Sequence, residues 1–136
     1  MTASGTALLA AAAVHLGFQA TVTVIVYPAL ARVDAGRWPE AHRAHTRAIT
    51  PLVALIYGAL VVTGCWALLT GPGPWTLVAL AATAAAALVT ALAAAPAHQR
   101  LGAGHDPRRI AKLLRADRAR LAAALVAATA AVIAAA

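Results

Sequence analysis

The side chains that could do chemistry in this sequence are few: five histidines, four carboxylates, one cysteine, and some Thr, Gln and Tyr among long apolar runs. His15 and Gln19 stand four apart, so on a helix they share one face. His42 and His45 stand three apart, and His98 closes a later segment that returns to the same end of the molecule. An HxxH pair with a third imidazole is a donor set for a transition metal, which makes His42, His45 and His98 the candidate metal ligands. A copper or iron ion, or a haem, is the cofactor such a set would take. Without a metal, the same imidazoles can act as general acids or bases. Glu40 beside them reads as a charge favoured at a helix N-terminus.

Asp117 is the most informative acid. Leu113, Leu114 and Leu121 are its helical neighbours, so its carboxylate projects from an apolar stripe and needs a partner. Arg120, three residues on, and Arg43 or Arg47 of an earlier segment are the candidates. The pair is either an ion pair locking two helices or a working carboxylate on the floor of a pocket. His15, Gln19, Asp117 and Arg120 are accordingly the candidate catalytic residues. His15 also has a purely structural alternative, a hydrogen bond across the molecule to Tyr57 or Thr83. Cys65 has no second cysteine with which to form a disulfide or a CxxC pair.

What positions these residues follows from composition. Of 136 residues, 62% are apolar and 11% charged, with a mean hydropathy of +0.80. A soluble domain carries roughly 25% charged residues to cover its surface, so lipid must be part of this chain's solvent. Spans are predicted at about 6–31, 40–70, 75–101 and 107–134, within a single domain over 1–136. Each must be helical, because an open strand in lipid leaves its backbone groups unpaired. The alternating segments of a barrel are missing. The expected architecture is an all-α integral membrane protein, an antiparallel up-down four-helix transmembrane bundle.

Local signals agree with these boundaries. Gly and Pro at 71–74 break the chain between the second and third spans. Asp106 and Pro107 supply an N-cap and a first helical residue for the fourth. The first segment lacks a basic leader and runs to about Ala31, so it reads as a retained span and not a signal peptide. Small residues at 81–87 predict that the third helix packs tightly against its neighbours.

The charges sort to one end. The net charge of +7 comes from 11 Lys+Arg against 4 Asp+Glu, all within 32–47 and 100–120. With hairpin connections those stretches share one membrane face. The positive-inside rule then places them in the cytoplasm and both termini outside, at the inner (plasma) membrane. The basic residues read as anchors to anionic lipid, worth about 1 kcal/mol each, and not as a nucleic-acid surface. Trp38, Trp66 and Trp75 read as interfacial aromatics. His15 lies about 16 residues from the inner end of its helix and His45 about five from its own, a separation of more than ~10 Å that keeps them out of one metal centre. Pro28, Pro51 and Pro96 should bend the inner halves of three helices. Such bends would open a cytoplasm-facing pocket lined by Gln19, Thr23, Tyr27, Thr46, Thr50, Thr90 and Asp117.

Several short motifs resemble a known group. They are His15-Leu-Gly-Phe-Gln19, Tyr27-Pro-Ala-Leu30, Arg37-Trp-Pro-Glu-Ala-His42-Arg-Ala-His45, and the block from Pro96 through His98, Leu101, Gly104 and Asp106 to Arg120. Together, over most of the chain, they resemble a set of bacterial four-span membrane proteins of unassigned function. That set is distantly similar to the superfamily of the anthrone oxygenases, small four-span proteins linked to oxidation of polycyclic phenols. Arg120 matches the group; at Asp117 the group often has Asn followed by Trp. The resemblance implies an oxidoreductase or oxygenase-like protein acting on a hydrophobic, aromatic or quinone-like molecule from the cytoplasmic side. Membrane lipids and that small molecule are the expected partners, with a homo-oligomer or a larger membrane complex as further assemblies. The alternative is a non-catalytic accessory subunit or lipid-binding scaffold, using the alanine-rich face as its interface. Transport is disfavoured, since neither an internal repeat nor paired interrupted spans are present.

Overall fold

The computed structural model describes residues 2–136. Four helices, α1 (Ala3–Ala31), α2 (Trp38–Leu69), α3 (Pro74–Leu101) and α4 (Pro107–Ala135), are each long and apolar enough to cross a membrane. Among the described residues there is no strand. The chain is an all-α four-helix bundle whose neighbours run antiparallel through short connections. Asp106 caps α4 as its sequence predicts: its Oδ1 accepts from the backbone N–H of Arg108 and Arg109 at 2.9 and 3.2 Å. The turn between α2 and α3 passes through Gly71 at φ +82°, a conformation that only glycine adopts freely.

The four helices do not pack evenly. α4 lies along both α3 and α1, and α1 lies along α2, whereas α2 and α3 meet at few points. Small residues explain the tight side. Ala79 of α3 clusters with Ala128, Ala130 and Ala131 of α4 and with Leu8 and Ala12 of α1, and alanines let backbones approach closely. The expected tight packing of α3 is therefore directed at α4, and a seam remains between α2 and α3. Side chains cross that seam at separated points. A Cβ on Gly64 would come within 3.0 Å of Leu80; farther toward the charged end Tyr57 Oη lies 2.8 Å from Thr90 Oγ1, and at that end His42 Nε2 lies 3.2 Å from His98 Nδ1.

Two of the three prolines distort their helices. Pro28 and Pro96 each follow a π-helical turn, Val22–Val26 and Thr90–Ala94 respectively. A proline lacks the N–H for the i→i−4 bond and its ring crowds that carbonyl, which belongs to Val24 or Leu92 in the middle of each turn. Widening the turn relieves the conflict. Pro51 instead lies inside an unbroken α-helix.

Trp38 departs from expectation. It is 1% exposed, and its Nε1 donates to the Leu101 carbonyl at 2.9 Å. A buried indole needs such an acceptor, and the bond ties the start of α2 to the end of α3. Trp66 and Trp75, near the opposite end, are exposed as interfacial aromatics should be.

Candidate functional site

The deepest polar group is built by α1 and α4. Gln19, His15 and Asp117 are each 0% exposed and Arg120 is 3% exposed. Gln19 Nε2 donates to Asp117 Oδ1 at 2.6 Å, and Arg120 Nη1 stands 3.6 Å from the same oxygen. Arg120 follows Asp117 by three residues, so one face of α4 presents both charges to α1. Arg43 and Arg47, the other candidate partners, make no bond to the carboxylate; Gln19, not anticipated in that role, does.

This cluster is not self-sufficient. Both ring nitrogens of His15, Gln19 Oε1, Asp117 Oδ2 and Arg120 Nε are buried and unpartnered within the protein. Buried polar atoms without partners are costly and uncommon. The hydrogen bond from His15 to Tyr57 or Thr83 does not form. The His15 and Tyr57 rings pack with centroids 5.2 Å apart, while the Tyr57 hydroxyl engages Thr90 and the Thr83 hydroxyl donates to the Ala79 carbonyl.

Nearer the charged end, the remaining candidates gather around His98. Tyr27 Oη is 3.0 Å from His98 Nε2, and His42 Nε2 is 3.2 Å from His98 Nδ1. The His45 ring stacks on His98 at 5.3 Å with an interplanar angle of 16°. Trp38 stacks on His42, 5.4 Å between centroids. The candidate ligands His42, His45 and His98 thus meet, but as a hydrogen-bonded and stacked array. Stacked rings direct their nitrogens outward from the stack and not toward one point. Among the described residues, no group of three or more His, Cys, Asp or Glu side chains is disposed to hold a metal ion.

Between these two groups lies a crevice of about 380 Å³. Thr46, Ile49, Thr50 and Val53 of α2 form one wall, and Thr90, Ala94, Ala95, His98 and Gln99 of α3 the other. Phe18, Val22 and Tyr27 of α1 and Arg120 of α4 close its back. The crevice therefore occupies the α2–α3 seam. The Tyr57–Thr90 and His42–His98 contacts cross that seam on either side of it. Gln19 and Asp117 stand behind this surface and not on it, and Thr23 is also absent from it.

The π-helical turns explain this departure from a regular helical wheel. On an α-helix, residues five apart lie about 140° around the axis. In each π turn the backbone N–H five residues on closes the ring, Tyr27 to Val22 and Ala95 to Thr90. Tyr27 is thereby aligned with Phe18 and Val22, in place of the regular series Gln19, Thr23, Tyr27. On α2, the spacing of Thr46, Ile49, Thr50 and Val53 is an ordinary helical stripe, and it was the one wall open to detection from spacing alone. Phe18, Val22, Ala94, Ala95 and Gln99 carry no comparable signal.

No protein-family model matches this chain, and no curated protein and no solved structure matches it.

Proposed function

We propose that this chain is a membrane-embedded oxidoreductase that takes an aromatic or quinone-like small molecule from the bilayer into the α2–α3 crevice. The observation that carries this reading is the composition of the crevice. Its lining surface is largely apolar, its volume falls within the ~300–1,000 Å³ of small-molecule sites, and Tyr27, His98 and Arg120 stand among its polar lining residues beside three threonines and Gln99. An amphiphilic ring system bearing oxygen would find apolar walls for its body and donors for its oxygens. The redox half of the reading rests on the resemblance to the anthrone-oxygenase-like superfamily.

The residues' own part is binding and proton handling. The Arg120 guanidinium favours a phenolate over a phenol, because opposite charges attract strongly where water is scarce. The His98 Nε2–Tyr27 pair can accept the phenolic proton. A hydroquinone then gives two electrons and two protons to an acceptor; with dioxygen the products are quinone and hydrogen peroxide. Asp117 pairs with Arg120 from behind, and Gln19 fixes Asp117 in turn by donating to its carboxylate. The end carrying the charged residues other than the buried Asp117–Arg120 pair would face the cytoplasm at the plasma membrane, with both termini outside.

Detergent-purified protein should bind 1,4-naphthohydroquinone with a micromolar Kd and raise its rate of oxidation by dioxygen above the protein-free rate. Thr50→Leu and Ala95→Leu, at exposed positions on the two walls, should weaken binding without unfolding the protein. A reporter fused to the carboxyl end should read as external. Protein that binds no probe and co-purifies with a stoichiometric partner would instead support the accessory-subunit reading.

A further inference from the structure

We infer that His42, His98 and Tyr27 form a proton relay between the charged end of the bundle and the crevice. Three side chains from three helices are joined by two hydrogen bonds in series: His42 Nε2 to His98 Nδ1 at 3.2 Å, and His98 Nε2 to Tyr27 Oη at 3.0 Å. Both nitrogens of His98 are thus engaged. A neutral imidazole has one donor and one acceptor, so the chain has two complementary registers. In one, His42 donates to His98 and His98 donates to Tyr27. In the other, Tyr27 donates to His98 and His98 donates to His42. Passing one proton along the chain converts each register into the other, with no bond made or broken except N–H and O–H. That is the chemical requirement for a relay, and an Asn or Gln in the middle position could not meet it.

Its ends lie where a relay needs them. Tyr27 and His98 line the crevice. His42 and His98 line a second cavity of about 380 Å³ at the charged end, together with Arg43, Arg47, Gln99 and Gly102. Thr46, His98 and Gln99 line both cavities, and His98 is the imidazole among them; because its two nitrogens are occupied, protons reach it through His42 or Tyr27. The stacks of Trp38 on His42 and of His45 on His98 hold the two imidazoles in orientation. The charged neighbours of the path are Arg43 and Arg47 at the second cavity and Arg120 at the crevice.

The relay's task rests on the reading above: His98 and Tyr27 take the two phenolic protons, dioxygen takes up two as it is reduced to hydrogen peroxide, and the link through His42 lets loss and uptake occur at different moments. Its existence can be measured without any substrate. In 15N spectra of the detergent-solubilised protein, both ring nitrogens of His98 should be averaged between protonated and unprotonated positions. His42→Gln keeps a hydrogen-bonding group but cannot shuttle a proton, and should lock His98 into one tautomer. A single fixed tautomer in the wild type, or averaging unchanged in His42→Gln, would overturn the relay. In turnover, His42→Gln and His42→Ala should each slow naphthohydroquinone oxidation by roughly 10²-fold with probe affinity unchanged. Added imidazole should restore His42→Ala and not His42→Gln. Averaged nitrogens without any wild-type turnover would sink the oxidoreductase reading and leave the relay standing. Normal turnover in His42→Gln would do the reverse.

Discussion

A carboxylate that is 0% exposed inside an apolar bundle survives only in company. Asp117 has Gln19 at 2.6 Å and Arg120 at 3.6 Å, both on the same oxygen, while its second oxygen stands alone. The two charges compensate each other, so removing one leaves the other buried without a counter-charge. Asp117→Leu should therefore cost about 3–5 kcal/mol of stability. Asp117→Asn should cost less, because its amide oxygen can still accept from Gln19 even though Arg120 loses its counter-charge in both variants. Thermal unfolding in detergent separates the two variants; equal losses would mean that the Gln19–Asp117 hydrogen bond, which Asn can keep and Leu cannot, is not what holds α1 and α4 together at this depth. At this scale the sequence was largely legible. The need of Asp117 for a partner and the candidacy of Arg120 follow from Leu113, Leu114 and Leu121 around it. Gln19 was visible as a polar residue in a span, but its role was not, because which helix faces α4 at that depth is a matter of packing.

The elements carry the site by being irregular. A regular α1 would align Tyr27 with Gln19 and Thr23; the π-helical turn at Val22–Val26 aligns it with Phe18 and Val22 instead. The same turn recurs at Thr90–Ala94 ahead of Pro96 and sets His98 against His42 and Tyr27. π-helical turns within α-helices are frequent at functional sites. Pro96→Ala restores an N–H that can bond the Leu92 carbonyl, so the α register should re-form. His98 would rotate off its partners, and naphthohydroquinone affinity should fall about tenfold, equivalent to ~1.4 kcal/mol, while circular dichroism shows the helices intact. Unchanged affinity would mean that the turn does not position the site. The prolines themselves were plain in the sequence. Whether a proline is answered by a π turn, as at Pro28 and Pro96, or absorbed in a continuous helix, as at Pro51, depends on neighbouring helices and could not be read from the residue alone.

For the whole molecule, alanine decides the shape. Small residues draw α3 onto α4, and the bundle closes on three sides while α2 and α3 stay apart in the half nearer the charged end. Four spans and one charged end were evident from composition and charge placement, whereas the seam was not, because unequal packing leaves no periodic mark. The seam changes the route expected of a hydrophobic ligand: lateral from the bilayer, with His42 and the second cavity as the aqueous connection. A photoreactive azido-naphthoquinone tests this most directly. Applied to vesicles containing the protein, it should label α2 and α3 at Thr46–Val53 and Thr90–Gln99, with Tyr27 of α1, and excess naphthoquinone should abolish the labelling. Labelling spread over lipid-exposed residues such as Leu55, Val61 and Leu125, and undiminished by competitor, would contradict a ligand site in the α2–α3 crevice.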